Sequence, residues 1–241
     1  MANLVGKSAV ITGASQGIGQ AIAGALHAAG VNLVLIGRDL DRLQSAVSSF
    51  GTQAPPPHML QADLGDPGSL QAATDKISEV LPGVDILIHC GGAYLRGDWD
   101  ELDPPAFSNL LDTNVIGPYT LTRQLLPRLV VARGDVVFVN STVTRSQGMH
   151  ASHFKVTQHA LQALADTFRT ELNAQGLRVL SIYPGRTATP RQQEIYRDEG
   201  RDYRPERLLQ PEDVADAVLS CLSMPATAEI TDLYIRPRLK T

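Results

Sequence analysis

The stretch Ser8-Ala9-Val10-Ile11-Thr12 runs directly into Gly13-Ala14-Ser15-Gln16-Gly17-Ile18-Gly19. A short β-branched run, closely spaced glycines and a following apolar-periodic segment read as strand, tight turn and helix start. Glycine suits such a turn because it accepts positive φ and lets the backbone approach a ligand closely. The opening helix offers unpaired N–H groups and a partial positive charge, which favour a pyrophosphate. This arrangement constrains the whole chain, because it belongs in a parallel sheet with helices on both faces.

The rest of the sequence keeps that rhythm. Apolar runs at 8–12, 32–36, 58–61, 85–89, 135–140, 178–182 and 233–235 alternate with helical patterns at 17–29, 40–49, 67–80, 105–130, 153–174 and 211–222. Most of the runs are nearly continuously apolar, as strands buried on both faces require. The expected fold class is α/β, a doubly wound parallel sheet in a single domain, and 241 residues suit one large domain. Gln210-Pro211-Glu212-Asp213 is a helix opening, with proline in the first turn and acids at the positive end of the dipole. One segment breaks the rhythm. Residues 191–209 follow a Pro-Gly turn and are rich in Arg, Glu and Tyr. A long insertion beyond a strand's carboxyl end is a candidate binding loop, so a substrate lid is expected over 190–209.

Charge narrows the partners. The formal net charge is −4 and no basic run reaches five residues, which argues against a nucleic acid and for a small-molecule substrate or ligand. Cys90 and Cys221 sit in apolar stretches and form no C-x-x-C pair, so they read as reduced thiols. With no H-E-x-x-H either, no metal site is expected. Met1 to Lys7 lacks the pattern of a secretory leader, and no apolar run approaches the roughly 18 residues of a membrane helix. These readings predict a cytoplasmic protein with no membrane partner.

The fuller motif T-G-x-x-x-G-I-G at 12–19 resembles that of the short-chain dehydrogenase/reductase family, and the resemblance continues along nearly the whole chain. It implies a Rossmann-type fold and a nicotinamide dinucleotide on Gly13, Ser15, Gln16, Gly17, Ile18 and Gly19. Asp63, with Leu64 after it, matches the family's acid that contacts the adenine. Cys90-Gly91-Gly92 falls where the family has the end of Asn-Asn-Ala-Gly and keeps only the last glycine. Asn114 in Asn114-Val115-Ile116-Gly117 matches the family's helix asparagine. Pro184, Gly185, Thr187 and Thr189 match the turn beside the nicotinamide.

Cofactor choice is read from charge. NAD-specific relatives place an acid at the end of the second strand, where this chain has Gly37-Arg38-Asp39. Arg38 can pair with a 2′-phosphate, and Asp39, one position late, can begin the next helix. NADP(H) is therefore expected over NAD(H).

The family's proton donor is missing. Family members use a serine, a tyrosine and, one helical turn after the tyrosine, a lysine that lowers its pKa. Here the matching helix reads Phe154-Lys155-Val156-Thr157-Gln158. Aligning Gln158 with the lysine puts Phe154 at the tyrosine and sets Ser141 thirteen residues before it, the family's usual interval. Aligning Lys155 instead puts Ala151 at the tyrosine, and either register lacks the phenol. A phenyl ring carries no transferable proton and a carboxamide carries no charge. The resemblance thus assigns the catalytic positions to Ser141, Asn114, Phe154 and Gln158. Helical geometry turns His153 and Lys155 away from the Phe154/Gln158 face, while His150 shares it only if the helix starts early. Tyr94, Tyr196 and Tyr203 are aromatic candidates near the pocket or in the lid. Ser141 has no evident His–acid partner for a hydrolase triad.

Two functions remain open on these residues. The first is an NADP(H)-binding oxidoreductase of a carbonyl or alcohol with an altered proton path. The second is a catalytically disabled nucleotide-binding protein acting as sensor or subunit partner, with a non-redox enzyme on the same scaffold as a further alternative. The resemblance also implies a homodimer or homotetramer, paired through the helices at 105–130 and 153–174.

Overall fold

The computed structural model describes residues 3–146 and 150–239. The stretch read for a leader begins with Met1 and Ala2, which lie outside the described residues. Seven parallel strands form one sheet in the order β3-β2-β1-β4-β5-β6-β7. They are β1 (Ser8–Thr12), β2 (Asn32–Gly37), β3 (His58–Gln61), β4 (Ile86–His89), β5 (Asp135–Val139), β6 (Arg178–Pro184) and β7 (Asp232–Ile235).

The apolar runs explain the layering. Successive side chains of a strand point to opposite faces. Ala9 and Ile11 of β1 join Leu33, Leu35, Ile86 and Ile88 on one face. There they meet α1 (Gly17–Ala28) through Ile22 and Leu26, and α8 (Pro211–Leu222) through Val214 and Val218. Val10, Val34, Ile36, Leu87 and Phe138 point the other way. They pack on α3 (Pro67–Val80), α5 (Gly117–Ala132) and α6 (Ser152–Leu172) through Ile77, Leu121, Leu125 and Leu161. A strand covered on both faces has no room for alternating polar residues, and this is why the runs read as continuous.

Three helices begin with an aspartate that accepts a backbone N–H. Asp39 caps α2 (Leu40–Val47), Asp66 caps α3 and Asp103 caps α4 (Pro104–Leu111). α1 has no side-chain cap at its N-terminus. Its first-turn N–H groups are therefore left to face the crevice beyond the sheet's carboxyl edge.

Two expectations are corrected in detail. The helical pattern at 105–130 is not one helix: a π-helical turn at Asp112–Ile116 separates α4 from α5. The extra residue per turn at this point turns Asn114 inward, where it is buried. The insertion after β6 carries helical structure that the sequence reading did not assign. It contains α7 (Pro190–Asp198), capped by Thr189, and a 3₁₀ turn at Pro205–Arg207. Proline at N1 starts that helix, a signal masked in the sequence by the segment's high charge. No helix of the described residues is long and apolar enough to cross a membrane.

Candidate functional site

The sheet order reverses at β1, so the connections leaving β1 and β4 diverge and open a crevice at the carboxyl ends of the strands. A cleft of about 850 Å³ occupies it. All of the residues that the sequence assigned to catalytic or cofactor-binding positions line this one cleft.

The glycine turn builds one end. Gly13 has φ +67°, and a Cβ there would lie 2.6 Å from Gly91 Cα. Gly17 has φ +56°, and a Cβ would lie 2.9 Å from Thr189 Cγ2. Both positions thus need glycine for conformation and for space. Thr12 ties the two diverging strands together: its hydroxyl accepts from the N–H of Cys90 (3.1 Å) and of Gly91 (3.0 Å). Ser15, Gln16, Ile18 and Gly19 complete the wall around the uncapped start of α1. Asp63 and Leu64 line the cleft beyond β3, with the Asp63 carboxylate accepting from Gly65 N at 2.9 Å.

At the end of β2, Arg38 and Asp39 part company. The Asp39 carboxylate caps α2 through Arg42 N at 3.1 Å and lies 3.5 Å from Arg42 Nε. Arg38 is exposed at the cleft and forms no ion pair with a described residue. Arg42 lines the cleft as well, a second cation that strand-end reasoning passed over because it lies one helical turn further on.

The other end is built by β5, α6 and the β4–α4 connection. Ser141 Oγ accepts from Val143 N at 3.2 Å, so its own proton is free to point elsewhere. Phe154 and Gln158, one turn apart on α6, both line the cleft. Lys155 does not; its ammonium donates to the Ser146 carbonyl at 2.7 Å. The register that makes Lys155 the cofactor-facing lysine thus has no support in the geometry. His150 precedes the helix, which begins at Ser152, and takes φ +61° with its ring 3.0 Å from Asp98 Oδ2. It does not share the Phe154 face. His153 packs edge-on against Phe107, ring centroids 4.9 Å apart.

Asn114 is fully engaged. Its Oδ1 accepts from Ala93 N at 2.7 Å, and its Nδ2 donates to Ala93 O at 2.9 Å and to Thr157 Oγ1 at 3.0 Å. Tyr94 follows Ala93, lines the cleft and meets Phe154 edge-on, with centroids 5.1 Å apart and planes at 70°. Tyr196, on α7, is buried and does not line the cleft, and Tyr203 packs edge-on against it.

Pro184, Gly185, Thr187 and Thr189 carry the wall from β6 into α7. Four residues beyond the sequence reading appear here. Arg186 forms a two-pronged pair with Glu199, 2.8 and 3.0 Å, and Arg201 adds a third contact at 3.0 Å. Arg191 donates to the carbonyl of Gly92. Nothing in the local sequence marks Arg191, because its partner lies 99 residues away. Cys90 is half-buried at the cleft rather than fully enclosed, and desolvation pushes its thiol up to about 12. The neighbouring His89 is buried outside the cleft, 2.7 Å from Thr122 Oγ1, and desolvation brings it down to about 3, so it stays neutral.

Comparison with known proteins places these features among others. The family profile described as short chain dehydrogenase matches residues 7–200. An uncharacterized oxidoreductase of Staphylococcus haemolyticus is 29% identical over 238 residues, covering 98% of this chain and 100% of that protein. The bovine dehydrogenase/reductase SDR family member 7B is 34% identical, and the match covers 73% of this chain but only 56% of the bovine protein. Among solved structures, L-sorbose reductase from Gluconobacter frateurii, in complex with NADPH and L-sorbose, superposes with TM-score 0.87 at 26% identity, covering 99% of this chain and 98% of that one.

Proposed function

The protein belongs to the short-chain dehydrogenase/reductase family, and from this we propose that it is an NADP(H)-dependent oxidoreductase of a carbonyl or alcohol with an altered proton path. The observation that carries the cofactor choice is the divergence of Arg38 and Asp39. The carboxylate that would favour ribose hydroxyls is committed to a helix cap, and the guanidinium beside it has no ion-pair partner among the described residues. Such an arginine in a cleft with a second arginine one turn on suits a 2′-phosphate. The L-sorbose reductase that resembles this chain was determined with NADPH.

The uncapped start of α1, with Ser15, Gln16, Ile18 and Gly19, would hold the pyrophosphate, and Asp63 and Leu64 the adenine. Gly91, Gly92, Pro184, Gly185, Thr187 and Thr189 would hold the nicotinamide end. When bound, a reduced nicotinamide supplies a hydride. The chain's own part is to orient the substrate and deliver a proton. Ser141 is placed to donate a hydrogen bond to a substrate oxygen, because its lone pair already serves Val143 N. Gln158 can hydrogen-bond a ribose without adding charge. Phe154 shapes the wall and carries no proton. Asn114 holds the β4–α4 connection to α6. The 190–209 segment acts as the substrate lid. The protein works in the cytoplasm as a homodimer or homotetramer paired through α5 and α6, whose exposed apolar residues include Tyr119 and Val156.

Equilibrium binding followed by nicotinamide fluorescence tests the cofactor reading. NADPH is expected to bind at least tenfold more tightly than NADH, and Arg38→Ala to remove most of the difference. Equal dissociation constants in the unmodified protein sink it. A second reading, a nucleotide-binding protein without turnover, is favoured by Phe154 and Gln158 standing together on the cleft wall. Tight NADPH binding with no reduction of any carbonyl offered would select it.

A further inference from the structure

Carbonyl reduction in this cleft needs an acid that Phe154 cannot be. The titratable side chains lining the cleft can be sorted by whether they hold a proton to give. Asp39 caps α2 through Arg42 N and Asp63 accepts from Gly65 N, so both are engaged as acceptors. Glu199 is held as a carboxylate by Arg186 and Arg201, which outweigh its burial. Arg38, Arg42, Arg186 and Arg191 keep their protons throughout the accessible range. Cys90 belongs to the glycine-turn end of the cleft, where Thr12 holds its N–H, rather than to the end that carries Phe154. Neither His150 nor His153 reaches the cleft. Among the described residues this leaves one phenol, Tyr94.

Its placement fits the task. Tyr94 meets the ring of Phe154 edge-on at 5.1 Å, so it stands against the side chain whose hydroxyl is missing. Tyr94 lines the cleft, and its hydroxyl makes no hydrogen bond to a described residue. The backbone that carries it is fixed: Asn114 grips both the N–H and the C=O of Ala93 and reaches on to Thr157 of α6. A phenol on a clamped loop is preorganised, which is what proton transfer in a defined geometry requires.

We propose that Tyr94 is the proton donor of this cleft, delivering from the β4–α4 connection the phenol that α6 lacks. This rests on the oxidoreductase reading above. In reduction, a bound reduced nicotinamide gives a hydride to the carbonyl carbon and is oxidised. The Tyr94 O–H bond breaks, a new O–H bond forms on the substrate oxygen, and water reprotonates the phenolate through the open mouth of the cleft. Burial and Glu199 raise the Tyr94 pKa above the usual phenol value, against the opposing pull of Arg96 and Arg186. The phenol therefore stays protonated at neutral pH. It is a donor there and not a base, so alcohol oxidation, which needs the phenolate, should rise only in alkaline solution.

The test is Tyr94→Phe, which keeps the ring against Phe154 and removes only the oxygen. Reduction of benzaldehyde, cyclohexanone, ethyl acetoacetate and dihydroxyacetone by NADPH is measured beside NADPH affinity and the alkaline phenolate difference spectrum. Expected are a fall in kcat on the order of 10²–10⁴ on each compound the parent reduces, an NADPH Kd within twofold of the parent, and loss of one late-titrating phenolate. Adding Phe154→Tyr to that variant should restore part of the lost rate. Turnover within threefold of the parent in Tyr94→Phe overturns the assignment. If the parent binds NADPH but reduces none of the compounds, the assignment is overturned and the cleft is a binding module. If the parent binds no NADPH, the cofactor reading itself fails, a result separable from both.

Discussion

Arg191, in the first turn of α7, donates a hydrogen bond across the cleft to the carbonyl of Gly92 beyond β4. The two residues come from opposite walls, one on the lid segment and one on the turn after β4. Among the described residues the Arg191 guanidinium is held by this carbonyl alone, and Arg38 is a like-charged neighbour, a setting that an anion would relieve.

Arg191→Ala is accordingly expected to weaken NADPH binding by roughly 10- to 100-fold, the range of one charge-assisted hydrogen bond. Arg191→Lys should recover part of the loss, since it restores charge without the fork. Isothermal titration at two salt concentrations checks both. An unchanged Kd in Arg191→Ala would show that the residue only fastens the lid.

Phe154 and Gln158 make a coupled pair for substitution. Phe154→Tyr supplies a hydroxyl with a pKa near 10 and no adjacent cation, while Gln158→Lys supplies charge with no phenol beside it on α6. The double variant supplies both on one helical face. Its gain in carbonyl reduction over the parent should exceed the product of the two single gains. Steady-state rates of the four proteins on one aldehyde decide this; simple multiplicativity would show that the two positions do not meet on the substrate.

The anchorage of the segment that carries α7 should depend on acid. Burial raises the Glu199 pKa, but the hydrogen bonds and charges of Arg186 and Arg201 outweigh it and hold the carboxyl below its usual value. A depressed carboxyl stabilises the closed segment above its unfolded pKa, near 4.3. That contribution fades as pH falls through the lower folded value. Hydrogen-exchange protection over α7, taken relative to the intrinsic rate at each pH, should therefore hold from pH 8 to about pH 5 and fall only in stronger acid. Glu199→Gln should show the lowered protection already at pH 7. A transition near pH 6 to 7 in the unmodified protein would mean that another group, not Glu199, fastens the lid.

The sequence by itself determined the α/β class, the strands and the location of the cleft. Continuous apolar runs can be satisfied only by strands covered on both faces, the glycines at 13 and 17 need both space and positive φ, and the glycine at 19 needs space. These are local requirements, written in neighbouring residues. Tertiary structure alone decided the rest. That Asp39 turns into a helix cap while Arg38 stays free depends on where α2 begins. That His150 leaves the Phe154 face depends on α6 starting at Ser152. Arg191 on Gly92, Asn114 on Ala93 and Tyr94 on Phe154 join segments 99, 21 and 60 residues apart. No periodicity or spacing encodes such pairs, because each arises only when two separate loops are carried to the same edge of one sheet.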